Sequence, residues 1–288
     1  MTTRLTVCGG GAMGSQIAMV GALAGCRVTL YDLDDATLDR SVGQLRGHLD
    51  RKVAKGKLSE SDRDAAFDRL VTTTSLTEAA TDCEFMIEAI IEDLEAKRAL
   101  FAEFAAAAPP AAVLATNSSS IVSSKLADGL PGPDRVCNMH FFNPALVMEL
   151  VEVVEGPHTS EATVEAAMDL ARRMGKHPVH LKKEIFGFVV NRILGAIFDE
   201  AIALREAGIA GIEDIDVACR KGLGHPTGPF ELLDMTGIDV NYHIKLLRAQ
   251  DSGDPADGPS RSLEELYEAG RMGRKTGAGF YEYPEQAR

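Results

Sequence analysis

The chain has 288 residues, 45% of them hydrophobic and 25% charged, with a formal net charge of -13. That size suits one large core or two smaller ones, and two domains are expected. The acidic balance excludes nucleic acid or an anionic membrane surface as the main partner, because either requires a broad positive field; any anionic ligand has to be held by local groups.

Cys8, Cys26, Cys83, Cys137 and Cys219 are odd in number, widely spaced and without a C-x-x-C pair. They read as reduced core residues of a cytoplasmic protein. No charged-then-apolar leader and no apolar run of membrane-spanning length is seen, so a soluble protein is expected.

Arg4–Cys8 alternates like a short strand and leads into Gly9-Gly10-Gly11-Ala12-Met13-Gly14. Residues 15–24 then carry Ile17, Val20 and Leu23 at helical spacing. Beyond Gly25 a second strand, Arg27–Tyr31, ends at Asp32, 18 residues past Gly14. Strand, G-x-G-x-x-G, helix, strand and acid in this order form a dinucleotide-binding fingerprint. Gly9, Gly11 and Gly14, with Ala12 and Met13 between them, let the backbone approach a pyrophosphate at the helix N-terminus, where unpaired N–H groups and the helix dipole favour anions. A carboxylate at Asp32 accepts hydrogen bonds from the ribose diol and repels a 2'-phosphate, which points to NAD and not NADP.

Residues 36–55 continue as a long helix, and Ser59-x-x-Asp62 reads as a capping box opening another. Together they give a helical hairpin expected to project from the sheet, with Arg51, Lys52, Lys55 and Lys57 crowded onto it. Such a cluster is ordinarily a solvated helix face; a phosphorylated ligand would change that balance. Strands are expected over residues 85–91, 113–116, 136–140 and 150–154, with a helix over 92–108. The alternation gives a parallel sheet covered on both faces, with ligands at the C-terminal strand ends, where Glu92 and Asn117-Ser118-Ser119-Ser120 stand.

His140-Phe141-Phe142-Asn143-Pro144 and Glu149-Leu150-Val151-Glu152 set an imidazole and a carboxylate on two apolar, strand-like segments either side of a Pro-marked turn. A His that meets a carboxylate is held in one tautomer and suits a group that takes and returns a proton near neutral pH. His140 and Glu152 therefore form a candidate catalytic dyad. Glu149 alternates out of phase and reads as a solvated or rim charge.

Residues 178–181 form the last expected strand, and the domain boundary falls near Lys183. This gives an NAD-binding domain over residues 1–183 and a helical substrate and dimerisation domain over residues 184–288. Residues 188–206 place Val190, Ile193, Leu194 and Ile197 at helical spacing. Helices also fit 212–220, 229–235 and 262–269, joined by turn-rich connectors. The fold class is α/β: a Rossmann-type doubly wound parallel sheet with the projecting hairpin, plus a second all-α domain.

Eight segments in order carry a resemblance. They are Gly9 to Gly14; Glu88-Ala89-Ile90-Ile91-Glu92 with Lys97; Thr116-Asn117-Ser118-Ser119-Ser120; His140-Phe141-Phe142-Asn143-Pro144; Leu150-Val151-Glu152-Val153-Val154; Gly187-Phe188-Val189-Val190-Asn191-Arg192; Gly228-Pro229-Phe230-Glu231-Leu232; and Lys275-Thr276-Gly277-Ala278-Gly279-Phe280-Tyr281. Over essentially its full length the chain resembles the L-3-hydroxyacyl-CoA dehydrogenases, particularly the short bacterial 3-hydroxybutyryl-CoA type.

The resemblance implies NAD-dependent oxidation of an L-3-hydroxyacyl-CoA, short-chain such as 3-hydroxybutyryl-CoA, to the 3-oxoacyl-CoA in fatty acid metabolism. It makes His140 the general base and Glu152 its orienting partner. It also implies that Ser119 and Asn191 hydrogen-bond the substrate oxygen, Asn191 coming from the helical domain, and that Asn143 lies at the substrate. Asp32, Glu92, Lys97 and Lys275 would contact the cofactor, and Lys52 and Lys55 the CoA phosphates. A homodimer through the helical domain is implied as well. The family often has Pro where this chain has Phe186 and Leu146, so the acyl pocket and its chain-length preference are left open.

Other readings were weighed on the residues. The remaining six histidines read as structural, including His177 and His180, which lack carboxylate or thiolate company for a metal. The serine cluster lacks G-x-S-x-G, and Cys137, three residues from His140 on a strand, faces the other way. Alternatives to the CoA ester are a carrier-protein-bound hydroxyacyl group, a small polar hydroxy acid, or a catalytically silent NAD-binding structural protein. Intact Ser119, His140, Glu152 and Asn191 argue against the last.

Overall fold

The computed structural model describes residues 2–284 and divides into two compact units, with the division between Phe188 and Val189. In the first unit the elements are β1 (Arg4–Cys8), α1 (Ala12–Leu23), β2 (Arg27–Tyr31), α2 (Asp35–Ala54), α3 (Glu60–Asp68), β3 (Leu70–Thr73), α4 (Leu76–Thr81), β4 (Phe85–Glu88), α5 (Leu94–Ala107), β5 (Val113–Thr116), α6 (Ser124–Ala127), β6 (Val136–Phe141), β7 (Leu150–Val154), α7 (Glu161–Arg173) and β8 (His177–Leu181). The second unit holds α8 (Val190–Glu206), α9 (Ile212–Gly222), α10 (Pro229–Thr236), α11 (Ile238–Ser252) and α12 (Arg261–Glu268).

The sheet has eight strands in the order β3-β2-β1-β4-β5-β6-β7-β8. All neighbours are parallel except β6 and β7. The expected parallel sheet thus carries one reversal, because the turn between β6 and β7 is too short for a helical crossover and only an antiparallel pair can form. Leu5 and Val7 of β1 join the core on one face, with Ile17 of α1, and Cys8 joins the core on the other, with Phe101 and Phe104 of α5. Burial on both faces is what near-continuous apolar strands of a parallel sheet require.

Several helices start at side-chain caps. Asp34 accepts from the amides of Ala36 and Thr37, Ser59 from Asp62, Asp93 from Ala96 and Ser160 from Thr163. α2 and α3 form the helical hairpin, and its inner face is tied down: Leu38, Leu45, Leu49 and Ala66 belong to the same core as Ile17. The sequence reading passed over β3, α4, α7 and α11. β3 is a four-residue edge strand, half-buried at its ends and exposed in the middle, so it has neither alternation nor a continuous apolar run. The strand expected over 85–91 stops at Glu88, where the Glu88 carboxylate accepts the amide of Ile90 at 2.7 Å and turns the chain. The helix expected from residue 188 begins at Val190, because Gly187 and Phe188 both lie in the left-handed region, with φ +72° and +50°.

Candidate active site

The first βα turn is built as a ligand cradle. Gly9 has φ +111°, and a Cβ there would lie 2.5 Å from the Ala89 carbonyl oxygen. A Cβ on Gly14 would sit 1.9 Å from the Gly9 oxygen, so the turn closes onto α1 only with glycine at both positions. Gly11, the N-cap of α1, faces open space: a Cβ there would meet nothing within 4 Å. The first turn of α1 holds no acid, leaving its amides and dipole available to an anion. Asp32, just past β2, accepts the Gly10 amide at 2.6 Å and the Asp34 amide at 3.2 Å. Its carboxylate is thereby fixed beside the glycine turn. These residues fit a bound dinucleotide: an open approach at Gly11, orphan amides at Ala12 and Met13, and a carboxylate placed for the ribose.

Beside this turn, polar groups converge at the ends of β4 and β5. Glu88 is fully buried and pairs with the equally buried Lys97 at 2.5 Å. Thr116 donates to Glu88 at 2.6 Å. Lys97 also reaches Glu92 at 3.3 Å, and the hydroxyls of Ser118 and Ser120 both donate to Glu92. Burial pushes the Glu92 carboxyl up, but the Lys97 ammonium and these hydrogen bonds outweigh it and hold Glu92 below the usual carboxylate range. Glu92 is 40% exposed, whereas Lys97 is 1% exposed with its ammonium between two carboxylates. Lys97 therefore reaches outward only through Glu92.

His140 and Glu152 stand directly opposite each other in the β6–β7 register. His140 Nδ1 lies 2.8 Å from Glu152 Oε2, with Glu152 fully buried and His140 nearly so. The carboxylate holds the proton on Nδ1 and leaves Nε2 as the acceptor. The rings of Phe142 and Phe188 flank the imidazole at centroid distances of 4.5 and 5.6 Å. Asn117 Oδ1 accepts the Phe141 amide at 2.8 Å and fastens the end of the His140 strand to the serine loop. Ser119 is half-buried in that loop, and its carbonyl accepts the Gly187 amide at 3.1 Å.

A groove of about 750 Å³ runs past the N-terminus of α1, lined by Ala12, Gln16, Arg40, His48, Arg51 and Pro144 among others. His48 Nε2 borders it and is the one buried side-chain polar atom without a partner among the described residues. Of the basic cluster, Lys52 is half-buried and donates to the Leu146 carbonyl at 3.2 Å, while Lys55, the C-cap of α2, is exposed. Asn143 is exposed at the turn after β6. A hollow of about 780 Å³ at the opposite, N-terminal ends of β1 and β2 is lined by Arg4, Arg27 and Arg69 with Asp68, Glu78 and Asp82, and contains none of these groups.

In the second unit, Asn191 is in the first turn of α8. Lys275 pairs with Asp239 at 2.6 Å, which, against the upward push of burial, holds the Asp239 carboxyl below its usual range. The loop carrying Lys275 is clamped by the buried Asp234, which accepts the amides of Phe280 and Tyr281 and the hydroxyl of Tyr283. Sequence reasoning gave no role to Asn117, Asn138 or Asp234, and it passed over Glu88 and Thr116 as members of matching segments. A polar residue within or at the end of an otherwise apolar buried strand was the signal carried by Glu88, Thr116 and Asn138, whereas Asp234 lies on helix α10 and Asn117 just past β5.

Residues 4–185 match the family model for the 3-hydroxyacyl-CoA dehydrogenase NAD binding domain, and residues 187–283 match that for the 3-hydroxyacyl-CoA dehydrogenase C-terminal domain. The chain is 39% identical to the mitochondrial hydroxyacyl-coenzyme A dehydrogenase of Homo sapiens, over 97% of this chain and 90% of that protein. It is also 39% identical to a 3-hydroxybutyryl-CoA dehydrogenase of Mycobacterium tuberculosis, over 97% and 98% of the two chains. The crystal structure of (S)-3-hydroxybutyryl-CoA dehydrogenase PaaH1 from Ralstonia eutropha superposes with a TM-score of 0.93 at 35% identity, covering 99% of this chain and all of that one.

Proposed function

The chain belongs to the 3-hydroxyacyl-CoA dehydrogenase family and is an NAD-dependent oxidoreductase of 3-hydroxyacyl-CoA, and on that premise we propose that His140 is its general base, oriented by Glu152, acting on short L-3-hydroxyacyl-CoA such as 3-hydroxybutyryl-CoA. The observation that carries this reading is the buried 2.8 Å contact between His140 Nδ1 and Glu152. It leaves Nε2 to take the hydroxyl proton, and the carboxylate stabilises the imidazolium that forms. Bound NAD supplies the acceptor for the hydride that leaves the same carbon.

The other assignments follow the same reading. Ser119 and Asn191 hydrogen-bond the substrate oxygen, and Asn143 lies at the substrate. Asp32 takes the ribose diol, while the Gly9–Gly14 turn takes the pyrophosphate. Glu92 meets the cofactor directly and Lys97 through Glu92; Lys275 is the cofactor contact of the helical unit. The groove between α1 and α2 takes the CoA moiety, with Lys55 and Arg51 free to meet phosphates and Lys52 partly committed to Leu146. A homodimer is supported by α11, where Val240, Ile244 and Leu247 repeat at helical spacing and are each at least 40% exposed. No helix among the described residues is long and apolar enough to cross a membrane. The protein is proposed to act in the cytoplasm.

The test is formation of reduced nicotinamide with L-3-hydroxybutyryl-CoA, using NAD and NADP in parallel and His140→Ala beside the wild type. Turnover with NAD that the variant loses supports the reading. A wild type that binds NAD yet ignores the CoA ester overturns it in favour of a carrier-bound or small polar hydroxy acid.

A further inference from the structure

Glu88, Thr116 and Asn138 stand side by side in the register of β4, β5 and β6, all with 0% exposure. Glu88 and Thr116 are each the one polar residue on an apolar strand, and Asn138 shares that distinction on β6 only with His140. Glu88 and Thr116 are satisfied by each other, by Lys97 and by the amides of Ile90 and Ser118. Asn138 does something different. Its Oδ1 accepts the Ser123 amide at 2.8 Å, and its Nδ2 donates to the carbonyls of Ser118 at 3.1 Å and Ile121 at 3.2 Å. One buried side chain therefore holds the backbone of the serine loop on both sides of Ser119 and Ser120. Burying an amide without partners is costly, so this geometry is retained only with all three bonds made.

Asn138 is also two residues before His140 on β6, so the two side chains rise from the same face of the same strand. We propose that Asn138 is a positioning residue for the reaction, the strut that fixes the Ser119 loop relative to the His140 strand and so sets the spacing between the hydroxyl donor and the base. This rests on the reading that Ser119 hydrogen-bonds the substrate oxygen. Two further ties hold the rest of the loop. Glu184 accepts the Ser123 hydroxyl at 2.7 Å and the Ser124 amide at 2.8 Å. Within the segment from Ser118 to Ile121, Glu92 takes the Ser118 and Ser120 hydroxyls and the Ser119 carbonyl takes the Gly187 amide, while Asn138 is the tie that joins the backbone of this segment to the His140 strand. Without the strut the loop keeps these anchors and the Asn117 bond to Phe141 but loses the link from the Ser118–Ile121 backbone to the strand, and a shift of about 1 Å at Ser119 is enough to cost two orders of magnitude in rate.

The experiment is a double-mutant cycle of Asn138→Ala and Ser119→Ala, read as kcat and as KM for NAD and for L-3-hydroxybutyryl-CoA. Ser119→Ala alone is expected to lower kcat by roughly a hundredfold to a thousandfold, as loss of one aimed donor does. Asn138→Ala alone is expected to lower kcat about tenfold with KM for NAD unchanged, and Asn138→Ala added to Ser119→Ala should cost no more than about threefold further, since no hydroxyl remains to be aimed. Asn138→Ser, which keeps a donor and an acceptor on one atom about a bond length short of the amide, should recover part of kcat, and it carries the cycle if the alanine variant does not fold. If Ser119→Ala leaves kcat unchanged, the Ser119 reading fails and the positioning role of Asn138 falls with it. If Ser119→Ala is costly but the two losses multiply, or if the Asn138 variants lose thermal stability with kcat intact, the positioning role is overturned.

Discussion

Replacing Glu152 by glutamine keeps the shape of the side chain and removes its charge, which isolates the electrostatic part of the dyad. At the observed 2.8 Å separation, an effective dielectric near 20 gives about 6 kcal/mol of attraction between an imidazolium and the carboxylate. Charge spread over the ring and over both oxygens reduces the usable part, and the glutamine amide still accepts a hydrogen bond, so about 3–4 kcal/mol is lost where the imidazolium forms. At about 1.4 kcal/mol per tenfold, kcat falls by two to three orders of magnitude. The assay is the initial rate of NADH formation from L-3-hydroxybutyryl-CoA at saturating NAD, with a thermal melt to show that the variant is folded. KM for NAD should be unchanged, because Glu152 is fully buried on the far side of the imidazole. A folded Glu152→Gln enzyme with kcat within about fivefold of the wild type refutes the account, since a coupling that small cannot come from a buried charge in direct contact.

Three more outcomes follow from the geometry. Glu92 has its pKa lowered in the fold, so by linkage its contribution to stability is full above the ordinary carboxylate value and is lost as pH falls through the lowered one; the melting-temperature gap between wild type and Glu92→Gln should be constant near neutrality and shrink below about pH 4, and a gap that widens with acid contradicts this. Burial pushes the Cys137 thiol up to about 12 and the Cys8 thiol well up, Cys26 and Cys83 are also buried, and Cys219 alone is half-buried, so alkylation of the folded protein should give one adduct, at Cys219, by mass spectrometry, and five after denaturation. Gly14→Ala drives a Cβ into the Gly9 carbonyl and should cost about 2–3 kcal/mol in urea unfolding together with NAD binding, whereas Gly11→Ala meets no neighbour and should weaken NAD titration while leaving stability within about 0.5 kcal/mol.

The parts legible in the sequence were those written in local pattern. The glycine turn, the acid after β2 and the apolar alternation of β6 and β7 each occupy a few consecutive residues, and their chemistry follows from spacing alone. What could not be read is long-range. The bond from Lys52 to Leu146 joins residues 94 apart, and nothing in α2 distinguishes that lysine from its solvated neighbours. The row of Glu88, Thr116 and Asn138 exists only once β4, β5 and β6 are aligned, so each polar residue looked like an isolated exception in its own strand. β3 and α11 were missed for the opposite reason: β3 buries too little to show a period, and α11 leaves its apolar face uncovered within the chain, so neither shows the split between a buried and a wet side that pattern reading relies on.

The reversal between β6 and β7 separates what the protein can vary from what it cannot. β6 and β7 are both buried and each is also paired on its other side, with β5 and β8, so their register is held from outside the hairpin and a change of length confined to the turn between Phe142 and Glu149 is expected to leave His140 facing Glu152. One residue inserted inside β7, by contrast, would turn the carboxylate to the other side of the sheet and leave the imidazole alone. Descendants of this chain can therefore reshape the turn next to the substrate in small steps while inheriting a working acid–base pair, and new acyl preferences can be explored without passing through an inactive ancestor.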